Sequence, residues 1–330
     1  LLERLDKLAE QVKQAQAAGQ KDKVAQLQAE FKKIEEEAHN TVKQNELGRI
    51  VEQAGGVGLN ATTSAEATKY FYSFPANKLE LWMSLESERF LNPELRREFY
   101  KEKDVILEER RMRVDNSPIG QMIEKFNDTA FEKHPYKRPV IGYEEDIRNL
   151  TTEDLQQFFE THYVPSNLTA AVVGDVKAAE VKKLAEVYFG RYEARPEAEQ
   201  KIAVEPKQTQ EKEFTLNLPS QPWYLEGYHR PSLNDPDNAV YDIIGSLLSD
   251  GRTSRLYKSL VEEKQLALAA QGFSGFPGDK YPNLMLFYAL TAPGRSVDEV
   301  AAALREQIES LTTIPVSAKE LQRVKTNARA

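Results

Sequence analysis

Glu102 and Glu109 lie seven residues apart in the stretch EKDVILEERRMR, residues 102–113. On an α-helix seven residues make almost two turns, so both carboxylates project from one face. Stacked acids of this kind have two uses. They form a half-exposed face with Arg110 and Arg113 as partners, or they serve a metal whose other ligands lie elsewhere. The neighbours Val105, Ile106 and Leu107 are apolar and predict that part of this helix is packed. On these residues alone both readings stay open.

A hydrolytic zinc site needs three protein ligands, an open position for water and a general base. The chain has 4 histidines and no cysteine. Disulfides, thiolate metal sites and a cysteine nucleophile are therefore excluded. His39 falls on a charged helix, His134 in the loop EKHPYKRP, His162 at a helix end in ETHYVPSN, and His229 at a strand end in GYHRP. None has a second histidine at helical spacing, and neither H-x-x-E-H nor H-E-x-x-H occurs. The P-loop, the G-x-G-x-x-G turn and the G-x-S-x-G elbow are absent too. Taken alone, the 330 residues do not make a conventional hydrolytic zinc site.

Composition narrows the class further. Hydrophobic residues make up 40% of the chain and charged ones 29%, as in a globular protein rather than a disordered one. A net charge of −8 argues against nucleic acid as the main partner, because phosphate binding needs a basic surface. No apolar run approaches the ~20 residues of a membrane-spanning helix. The chain opens on LLERLDKLAE and closes on ELQRVKTNARA, both at helical spacing, and is read as an internal piece of a longer polypeptide.

The elements that must position the acids follow from periodicity. Leu1, Leu5, Leu8 and Val12 form one helical stripe, and Val24, Leu27, Phe31, Ile34 and Ala38 another. With AAGQKD between them they predict a helical hairpin over 1–45, too charged for a core and shaped as an arm or lid. GRIVEQAGG reads as a helix stopped by Gly55 and Gly56. Two short strands and a polar turn follow, then a helix carrying Trp82, Met83 and Phe90. Pro93 restarts the helix of Glu102 and Glu109. Further helices start at the Ser117–Pro118 and Thr151 signals. NLTAAVVGDV predicts a buried strand, and residues 196–211, rich in Pro, Glu, Gln and Lys, a linker. After it KEFTLNLP and PWYLEGYHRP read as strands, followed by helices, two more strands and helices again. The expectation is an α+β protein of two similar α/β sandwich domains, 46–195 and 212–330. Each has an antiparallel-rich sheet with helices on one face.

The segment GGVGLNATTSAEATKYFYSFPANKLELWMSLESERFLNPEL, followed by EKDVILEERRMRVDNSP, resembles the pitrilysin/insulinase family of metallopeptidases, the inverzincins. The resemblance continues through HPYKRPVIGYEEDIRNLTTEDLQQFFETHYVPSNLTAAVVGDV into the second domain. It implies zinc as cofactor, with Glu109 in the V-I-L-x-E helix as the third metal ligand and Glu102 supporting the site behind it. The family's H-x-x-E-H helix supplies two histidines and the general base. The strand at Asn60, Ala61, Thr62 and Thr63 then pairs with the backbone of an extended peptide substrate. The implied function is that of a zinc metalloendopeptidase acting on unfolded or short peptides.

Two departures qualify this. H-x-x-E-H is absent, and by family order belongs just upstream of Leu1, with the hairpin as an insertion. This chain by itself is therefore expected to be inactive. The family's Arg/Tyr pair, seven residues apart in a second-type domain, falls on Val261 and Leu268. The implied assembly is a homodimer, or a heterodimer with a subunit supplying that pair. The style of the hairpin suggests a bacterial source, in the periplasm or cell envelope rather than the cytoplasm. The alternative is a catalytically dead homologue serving as scaffold or peptide-binding partner.

Overall fold

Gly55, at φ +83°, sits in the left-handed region that ends a helix, and the hydrogen bonds around it match. Its N–H donates to the Glu52 carbonyl and that of Gly56 to the Val51 carbonyl. The computed structural model describes residues 1–41, 45–91, 93–96, 98–196 and 201–329. The elements run α1 Leu2–Ala17, α2 Lys21–His39, α3 Glu46–Gln53, β1 Val57–Thr63, β2 Thr68–Ser73, α4 Leu79–Leu91 and α5 Phe99–Arg110. They continue as α6 Pro118–Ala130, α7 Glu144–Asn149, α8 Thr152–His162 and α9 Ala178–Tyr188. Last come β3 Trp223–Arg230, α10 Asn238–Ser249, β4 Ala267–Phe276, β5 Asn283–Thr291, α11 Val297–Thr313 and α12 Ala318–Asn327. The chain is α+β, with small antiparallel sheets among many helices. It splits into two compact units.

The first unit comprises Leu1–Thr62, Thr68–Glu109 and Tyr143–Lys201. Its α1–α2 hairpin turns at Gly19, φ +67°, and buries Leu5, Leu8, Ile34 and Ala38. Tyr100, at the start of α5, completes that cluster, so the expected arm or lid has a core of its own. The Phe31 and Tyr100 rings meet edge to face at 4.9 Å. Asp6 accepts hydrogen bonds from the Tyr100 hydroxyl at 2.7 Å and the Thr152 hydroxyl at 3.0 Å. Thr151 caps α8 in a reciprocal box with Asp154.

Three local expectations are corrected in this unit. Pro93 does not open a helix; α5 begins at Phe99. Val105 and Ile106 are exposed, because α5 turns them away from the hairpin cluster that Tyr100 joins. NLTAAVVGDV forms no strand, and Val173 is 95% exposed. A strand needs a neighbour for its N–H and C=O groups, and neither sheet of the described residues includes this segment.

The second unit comprises Thr63–Ala67, Arg110–Gly142 and Ile202–Ala330. Its sheet has the order β3-β5-β4, all antiparallel, with Trp223 opposite Leu290 and Arg230 opposite Asn283. The central β5 is buried along most of its length and packs with Leu248, Leu256, Leu260, Val300 and Leu304. Gly272 faces Phe287 across the ladder, where a Cβ would collide with the ring. The register of β4 shifts between Phe273 and Phe276, where Gly275 takes φ +83°, a bulge at the strand's end. KEFTLNLP lies outside this sheet and forms no strand, for the same want of a neighbour. Within the expected linker 196–211, residues 197–200 lie outside the described residues; 201–211 belong to no helix or strand. Ser117 caps α6 by accepting from the Gly120 N–H at 3.2 Å, with Pro118 as the first helical residue.

Candidate functional site

Glu102 and Glu109 both lie on α5, as the spacing predicts. Seven residues bring them within about 20° of one line along the helix, ~10 Å apart in rise. Glu102 is exposed and Glu109 is half-buried. Immediately after Arg110 the helix widens into a π turn over Arg111–Asp115, where the Asn116 N–H reaches back to the Arg111 carbonyl at 2.8 Å. Turns of this kind are frequent at functional sites, and no residue of RMRVD announces one.

Arg110 is drawn into the structure as an anchor. Its guanidinium makes two bonds to the Glu124 carboxylate, at 2.7 and 3.1 Å, and donates to the Gly142 carbonyl at 2.8 Å. Asp115 lies 3.4 Å from it. The end of the acid-bearing helix is thereby fixed by a buried arginine.

Asn60, Ala61, Thr62 and Thr63 fall on β1, exposed along nearly its whole length. Its one neighbour among the described strands is β2, so its outer edge carries no further strand among the described residues. The Asn60 Oδ1 accepts from the Ala61 N–H at 2.8 Å. The inner strand is held by tyrosines. Tyr72 donates to the buried Glu86 carboxylate at 2.9 Å, and Glu86 pairs with Arg89 at 2.7 Å. The Tyr70 and Tyr163 hydroxyls share a hydrogen bond at 2.7 Å, and Arg89 lies over the Tyr70 ring. Burial pushes both phenols up, and the Tyr163 and Glu86 partners push them further. Both keep their protons well above neutral pH. This tyrosine docking was not foreseen; the alternation of Tyr70 and Tyr72 on one face of the strand is the signal that carries it.

The zinc that the resemblance implies asks for more donors than these residues bring together. Zinc takes three protein ligands, and Glu109 offers one oxygen donor. Among the described residues no three His, Cys, Asp or Glu side chains converge to hold a metal ion. Among the described residues, then, Glu109 is not joined by the further ligands that a zinc site needs. The positions of the expected Arg/Tyr pair are aliphatic: Val261 lies in a second π turn, Tyr257–Glu263, packed against the core, and Leu268 is exposed on β4. A recess of ≈ 690 Å³ in the first unit, bordered by Phe90, Arg96, Phe159, Tyr163 and Tyr192, includes none of the predicted site residues.

Residues 13–144 match the model of the insulinase family (peptidase family M16), and residues 149–328 match that of the M16 peptidase inactive domain. The chain belongs to the insulinase family. It is 32% identical over 297 residues to the zinc protease PqqE of Helicobacter pylori, which covers 88% of this chain and 66% of that protein. A crystal structure of a protease from Helicobacter pylori superposes with TM-score 0.80 at 31% identity, over 88% of this chain and 70% of that one. A probable β subunit of the mitochondrial-processing peptidase of Arabidopsis thaliana is 24% identical over 277 residues, 80% of this chain and 51% of that protein. The chain thus spans about two thirds of the first of these curated relatives and about half of the second.

Proposed function

We propose that this chain is the part of a bacterial zinc metalloendopeptidase that carries the glutamate ligand and the peptide-pairing strand. Glu109 would give one carboxylate oxygen to a zinc, and Glu102 would support that helix face from two turns before. Asn60–Thr63 hold an unfolded or short peptide extended, its backbone added to the outer edge of β1. The observation that carries the reading is the ordered match of both domain models over 13–144 and 149–328, with Glu109 inside the first. The bacterial assignment is supported by the Helicobacter pylori relative, and the envelope location belongs to the same proposal. Val261 and Leu268 leave the chain without the Arg/Tyr pair, so the active assembly is a heterodimer whose other subunit supplies that pair, or a homodimer that works without it.

The second reading, a peptide-binding or scaffold subunit without activity, is favoured by the want of an H-x-x-E-H motif in these residues and by those two aliphatic residues. One experiment separates them: zinc content and cleavage of an unstructured peptide by the full-length protein, beside Glu109→Gln. One bound zinc and cleavage, both lost in the variant, is the expected result. Neither zinc nor cleavage in the unaltered protein, with candidate partner subunits present, leaves the scaffold reading.

A further inference from the structure

The turn between β1 and β2, Thr63–Ala67, belongs to the second compact unit, and a buried tyrosine there takes hold of it. The Tyr136 hydroxyl donates to the Glu66 carboxylate and accepts from the Tyr281 N–H at 3.2 Å. Tyr136 is 4% exposed, packed with Phe131, Leu284 and Tyr281. Its backbone is fixed as well: the Tyr136 N–H donates to Nδ1 of the buried His134 at 3.1 Å. One residue further back, the Glu205 carboxylate gathers the N–H groups of Glu132, Lys133 and His134 at 2.7, 2.9 and 2.9 Å. The donor that meets Glu66 is thus set by contacts on both sides of its own turn.

The receiving side is equally constrained. The Ser64 N–H donates to the Ala67 carbonyl at 2.9 Å, and the Ser64 hydroxyl accepts from the N–H groups of Glu66 and Ala67 at 3.3 and 3.1 Å. A turn stapled in this way moves as one body, so a hold on Glu66 is a hold on Thr63 and Thr68. Independently, the Glu66 carboxylate lies against Gly278, where a Cβ would collide with it. The site has room for this carboxylate only while residue 278 has no side chain.

We propose that Glu66 and Tyr136, with Gly278 as the space for their contact, are positioning residues for β1, fixing the end of the strand on which Asn60–Thr63 lie. The inference rests on the peptide-pairing role given to that strand. A peptide adding to an edge forms its ladder one register at a time, so a strand end free to fray loses the pairs nearest to it.

The test uses the full-length protein with Tyr136→Phe, which removes one hydroxyl from a packed ring, and Glu66→Gln, whose amide oxygen still accepts. In Tyr136→Phe, amide exchange over residues 59–63 is expected to quicken about tenfold while β4 and β5 keep their rates. KM for an unstructured peptide rises by a similar factor with kcat little changed, and Glu66→Gln stays near the unaltered protein in both. Unchanged exchange over 59–63, or exchange quickened equally across the chain, overturns the positioning role and makes Tyr136 a core residue only. Quickened exchange with an unchanged KM overturns the peptide-pairing role of β1, and the positioning role with it, while the clamp on the turn stands.

Discussion

Glu109 and Arg110 are adjacent residues with opposite legibility. The acid pair is readable from spacing alone, because helical periodicity fixes which side chains share a face. The arginine is not, because its partners Glu124 and Gly142 lie 14 and 32 residues away and nothing local points to them. A surface ion pair contributes little, whereas a buried one that loses a partner leaves a charge without compensation. Arg110 is 6% exposed, so Arg110→Ala is expected to destabilise the protein by ~3 kcal/mol in chemical denaturation. Arg110→Lys recovers only part of this, since an ammonium cannot make the two parallel bonds to Glu124. A loss under ~1 kcal/mol on Arg110→Ala places the guanidinium in the class of exposed pairs and removes it as the anchor of the α5 end.

Helices are more legible in this sequence than strands, for a physical reason. The stops and starts at Gly55, Ser117 and Thr151 are satisfied by atoms within a few residues, so the sequence carries the whole signal. A strand is a statement about a neighbour; 168–176 and 212–219 have the right composition and no place in either sheet of the described residues. The hairpin errs in the other direction. Its charge suggested an arm, yet Leu5 and Ile34 are each 2% exposed, and Tyr100 closes the cluster from a helix sixty residues on. Ile34→Ala is expected to cost ~3 kcal/mol, the range for deleting a buried aliphatic side chain. Tyr100→Phe removes a bond to the Asp6 carboxylate and costs ~1–2 kcal/mol. In a cycle with Asp6→Ala, the two effects should couple rather than add. Additive losses show that the hairpin is held by its apolar cluster alone.

The whole molecule titrates in a coherent direction. Hydrogen bonds from the Arg255 guanidinium, then Ser317, hold the Glu320 carboxyl at about 2, well below its ordinary 4.5. Burial alone would raise Glu205, but the backbone N–H groups of His134, Glu132 and Lys133 overcome it and hold it low. Asp128 is lowered by Lys137 and Lys125, and Asp154 and Glu299 by the caps they complete at Thr151 and Ser296. In each case the unfolded chain binds its proton at a higher pH than the folded one. Their contribution to stability is therefore complete above the ordinary carboxylate range and is lost as pH falls through and below it. His134 acts in the same sense at higher pH: burial holds its imidazole below 6.5, against the pull of Glu205 and Glu66, so the unfolded chain takes the proton first. Glu35 runs the other way, raised by burial and then by Asp104, and offsets part of the slope. The midpoint of thermal unfolding should decline gently below about pH 6.5 and steeply below about 4.5. Glu320→Gln should be less stable than the unaltered chain at neutral pH, and the gap should close as pH approaches 2, because protonation then removes from the unaltered chain the charge that the variant lacks. A gap that stays constant from pH 7 to 3 shows that the contact between Arg255 and Glu320 of α12 is one of shape rather than charge.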